Sequence, residues 1–256
     1  MDRGWVERWR SMVEARAGRP DPGYWDRRAR TYARSTRAQA DEFLEFLERH
    51  LSPRKTLIDV GAGAGRHAVP LAARLEWVTA VEPSDGMRSN IAATENMTVI
   101  ASRWEDAEVA PADIVICCHV LYGIADAPTF IDKMQRAARE RVFVMLRESD
   151  LMHPTALIRA KTAGSSSPPP PRFSDLFMLL VEMGIMADVT FLRYPFVARY
   201  ADMEEALADC RAMLADGFDE SAARTMLDEV LRPEGNELVF RGGEVVSGVA
   251  HWLPTR

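Results

Sequence analysis

The residues most able to do chemistry fall between positions 59 and 87. Asp59-Val60-Gly61-Ala62-Gly63-Ala64-Gly65 places three glycines at alternate positions. Glycine at such a turn lets the backbone bend sharply and lets a ligand approach without interference from Cβ. The spacing is not the G-x-G-x-x-G of a pyrophosphate-binding loop, and Arg66 and His67 follow the last glycine. Asp59 stands two places before Gly61, and a carboxylate there suits a ligand bearing an ammonium group better than one bearing a pyrophosphate. Glu82 follows Gly65 by 17 positions. Its carboxylate can accept hydrogen bonds from both hydroxyls of a ribose, and Pro83 and Met87 offer apolar surface against a purine.

The elements that must hold these groups can be read from periodicity. Thr56–Val60 is a short β-branched apolar run, the pattern of a buried strand. After the glycines, Ala68, Leu71, Ala72 and Leu75 make a helical stripe. Further strands are expected at Trp77–Val81, Met97–Ala101, Ala112–Cys118 and Arg141–Leu146, with helices at Met87–Thr94 and about Thr129–Ala138. Strands alternating with helices imply βαβ units and a doubly wound, mostly parallel sheet covered on both faces. In that frame Glu82 lies beside the crevice at the carboxyl ends of the strands, and His119 lies just past a strand end.

Residues 1–52 read as an N-terminal helical cap, with helices around Trp5–Val13, Tyr24–Arg34 and Phe43–Leu51, the last ended by Pro53. Residues 53–256 make the main domain, with variable helical segments about 150–184 and 201–236. Ser165–Pro171 reads as an exposed linker. Phe173–Met183 is a helix that Gly184 can cap, Ala187–Val197 a strand, and Met203–Leu214 and Glu220–Leu231 two helices. Glu237–Phe240 and Val245–Trp252 flank Gly242-Gly243, read as a hairpin that makes the last strand antiparallel. The sheet is expected to have seven strands.

The D-x-G-x-G-x-G run on the first strand, with an acid ending the second, resembles the class I S-adenosylmethionine (SAM)-dependent methyltransferases. The likeness continues through Ala112–Tyr122, which is similar to that family's fourth strand and the loop after it, and covers Lys55 to Glu148. Tyr24–Tyr32 resembles the N-terminal cap of many small-molecule members. The resemblance implies a Rossmann-like fold and SAM as cofactor, with S-adenosylhomocysteine as product. It implies that Gly61, Ala62, Gly63 and Gly65 line the methionine part, that Asp59 holds the amino group, and that Glu82 binds the ribose with Pro83 and Met87 alongside. The stretch Ala101–Asp106 lacks the common Gly-Asp start, and Trp104 and Glu105 are taken as its adenine contacts. Cys118 and His119 would lie beside the sulfonium and the acceptor, with His119 as candidate general base. Trp25, Arg28 and Tyr32 would cover the site.

No N-P-P-Y or D-P-P-Y follows the fourth strand, which argues against amino methylation of DNA bases and protein amides. No acidic metal-binding set is visible, so no metal is expected, and His67, His153 and His251 read as structural. The expected acceptor is therefore a small molecule, methylated on oxygen, carbon or nitrogen. The alternatives are a non-catalytic SAM-binding regulatory protein and a nicotinamide-dependent oxidoreductase. A net charge of −6 and a pI near 5.5 argue against a nucleic-acid partner. Arg27, Arg28, Arg30, Arg34 and Arg37 read as a solvated helix face. Three cysteines without disulfide or zinc spacing, no apolar leader and no run long enough to span a bilayer point to a soluble cytoplasmic protein. The oligomeric state is left open.

Overall fold

The structure, a computed structural model, describes residues 4–16, 23–37, 41–150, 152–162, 168–214 and 218–255. Helices α1 (Trp5–Glu14), α2 (Tyr24–Arg37) and α3 (Glu42–Leu47) precede the sheet. The α/β part runs β1 (Thr56–Val60), α4 (Ala68–Ala72), β2 (Trp77–Val81), α5 (Asp85–Arg88), β3 (Met97–Ile100), β4 (Ala112–Cys118), α6 (Ala127–Ala137) and β5 (Ala138–Arg147). There follow α7 (Pro154–Thr162), α8 (Phe173–Glu182), β6 (Asp188–Tyr200), α9 (Met203–Leu214), α10 (Glu220–Val230), β7 (Arg232–Glu234) and β8 (Glu237–Trp252). The linker residues 163–167 lie outside the described residues.

The sheet order is β3-β2-β1-β4-β5-β8-β6, with β7 added on β8. β1 to β5 pair in parallel, and β8 runs antiparallel to both β5 and β6. The fold is therefore doubly wound and Rossmann-like, with seven strands along the sheet and a short eighth at one end. Alternate residues of the strands feed two cores. Ile58, Val60, Val115 and Val144 pack with Trp9 of α1 and with α6 and α8. Leu57, Ile114, Ile116 and Phe143 pack with α3 and α4 on the other face. Burial on both faces is what the near-continuous apolar run of β4 requires. A third core joins α7, α9 and α10 to Tyr200 and Phe240 at the far ends of β6 and β8.

Three expectations need correction. The Gly242-Gly243 hairpin does not exist. β8 runs straight through it for 16 residues, and the reversal comes at Gly235-Asn236, between β7 and β8. Gly242 and Gly243 stand against the single residue Phe196 of β6, an extra-residue bulge. Gly243 has φ +84°, and a Cβ on Gly242 would collide with the Met152 carbonyl and the Phe196 ring. The glycines thus mark close packing, not a turn. The expected helix 87–94 is a single turn that begins earlier. The Ser84 hydroxyl caps it by accepting from Met87 N–H, and the side chains of Ser89 and Asn90 bond the Gly86 carbonyl in competition with further helix. The arginines of α2 are not a uniformly solvated face, because Arg28 is half-buried and paired with the buried Asp209 at 2.6 Å.

Candidate functional site

β1 lies between β2 and β4, so strands run outward in both directions from the β1/β4 boundary. Their carboxyl ends open a crevice there, the place where such sheets bind ligands. Gly61, Gly63 and Gly65 form its floor with φ of +70°, +57° and +82°. Each value lies in the left-handed region that side chains disfavour. A Cβ on Gly61 would collide with Val120, and one on Gly63 would touch the ring edge of Tyr32 at 3.6 Å. The turn therefore needs glycine for its φ and for the close approach of the loop after β4.

Glu82 ends β2 directly beside this turn. One of its carboxylate oxygens accepts from Gly63 N–H and the other from Ser84 N–H, both at 2.8 Å. Each oxygen keeps a further lone pair. Asp59, at the end of β1, is 1% exposed, and its Oδ2 has no partner. The carboxyl accepts from Ala68 N–H, yet burial, together with Glu82 and Asp41, raises its pKa to about 6. A buried carboxylate short of partners is a costly feature that a cationic group would relieve. Beside it, Asp41 caps α3 by accepting from the N–H groups of Phe43 and Leu44 and pairs with Arg66 at 2.6 Å. Asp41 is held well below the usual carboxylate range by His67 and Arg66, despite burial.

Helix α2 roofs the crevice. Asp26 accepts from the Ser84 hydroxyl at 2.6 Å and from Gly86 N–H at 2.7 Å, tying α2 to the loop after β2. Ala29, Ala33 and Tyr32 pack on Ala64 and Met87. At its other side α2 is clasped to α9 by the Arg28–Asp209 pair, and Asp209 also meets His153 Nε2 at 3.2 Å. One helix thus touches both the glycine turn and the C-terminal insertion.

The opposite wall is a chain of polar side chains. His119, just after β4, has φ +61°, the single non-glycine in the left-handed region among the described residues. Its Nδ1 lies 3.1 Å from the Tyr122 hydroxyl and its Nε2 3.3 Å from the Tyr194 hydroxyl. Tyr122 accepts from Arg147 N–H at 2.8 Å, and Tyr194 meets the Ser247 hydroxyl at 2.7 Å. The chain is satisfied when Tyr122 donates to Nδ1 and Nε2–H donates to Tyr194, which requires a neutral ring. Burial, with Arg147 and Arg66 nearby, pushes the His119 pKa well below its usual value and keeps it neutral. Left-handed strain at such a residue is a pointer to function.

Sequence reasoning therefore finds a group that the fold brings together: Asp59, Gly61, Ala62, Gly63, Gly65, Glu82, Met87, Cys118, His119 and Tyr32. One residue stands apart. Trp104 is 3% exposed, lies in the core of α1, α6 and α8, and donates its indole N–H to the Phe130 carbonyl. Glu105 and Pro83 are exposed, and Trp25 is 40% exposed on the outside of α2 with its ring edge toward Tyr32. Asp26, Asp41, Arg147 and Tyr194 were not singled out from sequence, because no local motif marks them. Among the described residues, no cluster of three or more His, Cys, Asp or Glu side chains could hold a metal ion, and no helix is long and apolar enough to cross a membrane.

Residues 25–174 match the family model described as a methyltransferase domain. No curated protein matches the chain. Among solved structures it is similar to a putative methyltransferase from an antibiotic biosynthesis pathway of Anabaena variabilis, at 17% identity and a TM-score of 0.53, over 84% of this chain and 98% of that one. It is also similar to the YcgJ protein of Bacillus subtilis (12% identity, TM-score 0.52) and to a putative methyltransferase of Bacillus halodurans (13% identity, TM-score 0.52), each over 82% of this chain and 96% of the other. At such identities these likenesses speak to the fold. The family match spans more than half of the chain, and on that ground the protein belongs to the methyltransferase-domain family.

Proposed function

We propose that the protein transfers a methyl group from SAM to a small-molecule acceptor. The observation that carries this reading is the partnerless Oδ2 of Asp59, buried beneath three left-handed glycines and next to Glu82. An orphaned carboxylate oxygen suits an ammonium group, and the open lone pairs of Glu82 suit ribose hydroxyls, so these residues fit the cofactor. Gly61, Ala62, Gly63 and Gly65 would lie along its amino-acid part and Met87 beside its base. SAM supplies, when bound, a methyl group on a sulfonium that is already activated for displacement.

The protein's own task is then to align the acceptor and exclude water. Helix α2 closes over the crevice with Tyr32 above Gly63, and Val120 packs against Gly61 from the side. His119 is bonded through both ring nitrogens and held neutral. It acts as a positioning residue for Tyr122 and Tyr194, because both of its ring nitrogens are already engaged by their hydroxyls.

Calorimetric titration of wild type and Glu82→Ala with SAM, S-adenosylhomocysteine and NADH tests this. Binding of the two sulfur ligands and not NADH, weakened at least tenfold by the substitution, is expected (roughly the worth of hydrogen bonds to a charged group). Failure of both sulfur ligands to bind folded protein at millimolar concentration would sink the proposal.

A further inference from the structure

The arginines of the crevice differ in one respect. Arg66 is neutralised by Asp41 at 2.6 Å. Arg147, at the carboxyl end of β5, has no ion pair among the described residues. Its guanidinium carbon sits 4.8 Å from the centroid of the Tyr122 ring. That stacking occupies the face of the guanidinium and leaves its in-plane N–H fork without a carboxylate. The residue is half-buried, so an anion that reaches it is bound in a site partly screened from bulk water, where a charge-assisted bond is stronger than at an open surface.

The surroundings say what could. Arg147 pairs in register with Ser247, whose hydroxyl meets Tyr194, and its own N–H bonds Tyr122. The cation therefore stands in the wall formed by His119, Tyr122 and Tyr194, opposite Tyr32 of the roofing helix. Its charge reaches the hydroxyls of Tyr32, Tyr122 and Tyr194, each of which it makes easier to ionise. Burial nonetheless raises all of these phenols, so they remain neutral donors. With Arg66 cancelled, the wall carries one uncompensated positive charge, phenol hydroxyls and aromatic rings. Asp59 lies on the cofactor side, where the ammonium group proposed above would balance it. A single planar monoanion matches this count. A phosphate dianion would carry one charge more than Arg147 balances.

We propose that the methyl acceptor is a small ring-bearing carboxylic acid whose carboxylate is held by Arg147, making Arg147 the residue that sets acceptor class. This rests on the methyltransferase reading above.

The test uses the full-length protein, with and without saturating S-adenosylhomocysteine. It is titrated by ligand-observed NMR and calorimetry with matched pairs: benzoate and benzamide, 4-hydroxybenzoate and 4-hydroxybenzamide, and phenyl phosphate. Each acid should bind about tenfold or more tighter than its amide, as expected for loss of a charge-assisted bond. Arg147→Met should remove that preference, keeping the amide's affinity, because the methionine still covers Tyr122. Arg147→Lys should restore part of it. Equal affinity for acid and amide, no acid binding below about 10 mM, an unaltered preference in Arg147→Met, or a stronger preference for phenyl phosphate would each overturn the proposal. The S-adenosylhomocysteine titration is read separately. If it fails while acids still bind through Arg147, the cofactor reading falls and the anion site stands.

Discussion

The two walls of the crevice are built in different ways. The proposed cofactor side comes from two consecutive β–turn–α connections, and its geometry is carried by backbone: three left-handed glycines, the N–H of Gly63 on Glu82, and the N–H of Ala68 on Asp59. The proposed acceptor side is assembled from α2, the loop after β4, the end of β5 and the middle of β6, and is carried by side chains. A backbone-built site tolerates little change in its residues. A side-chain site can be re-specified by one substitution, which suits a fold that keeps a cofactor and varies its acceptor.

Substitutions can break or sharpen this contrast. The largest effect is expected from Trp104→Ala. Its indole fills the core and bonds the Phe130 carbonyl, so stability should fall by about 3–5 kcal/mol, measured by urea denaturation. The folded fraction should bind S-adenosylhomocysteine as wild type does, because the ring does not reach the turn. Gly61→Ala comes next. Left-handed φ and the collision with Val120 should together cost about 2–4 kcal/mol, and cofactor binding should be lost in calorimetry. Adding Val120→Ala should recover the collision part and not the φ part.

Asp59→Asn should act in the opposite direction on stability. Burial raises the native carboxyl to about 6, against about 3.9 for an exposed aspartate. The folded state therefore holds the extra proton between these values, and stability falls as pH rises through that window. Above it the buried charge costs about 3 kcal/mol at most. The variant should be as stable as wild type near pH 3.5 and more stable by up to that amount at pH 7, while binding SAM more weakly. Smallest is Tyr194→Phe, which removes hydrogen bonds to His119 and Ser247. It should cost about 1 kcal/mol, and it should alter acceptor binding and leave cofactor affinity unchanged.

The same contrast explains what the sequence discloses. Glycine spacing and the acid at the end of β2 are local, so the turn and the carboxylate beside it can be read directly from residues 59–82. Strand positions are legible because apolar runs of five to seven residues have few other uses. The α5 turn and the path of β8 are not, because Ser89 and Asn90 compete for backbone bonds and Gly242 serves packing instead of reversal. Arg147 and Tyr194 are 47 positions apart and become neighbours only when β8 inserts between β5 and β6. Arg28 looks like one solvent-facing arginine among several until α9 supplies Asp209.

The measurement that bears most directly on the account is proton release on SAM binding. It is read by calorimetry at pH 6 in buffers of different ionisation enthalpy, on wild type and Asp59→Asn. An ammonium group seated on Asp59 must lower its pKa, so up to about half a proton should leave per site at pH 6, and none in the variant. Equal affinity of the two proteins for SAM, with no proton linkage in wild type, would contradict the assignment of Asp59 and with it the placement of the cofactor on this turn.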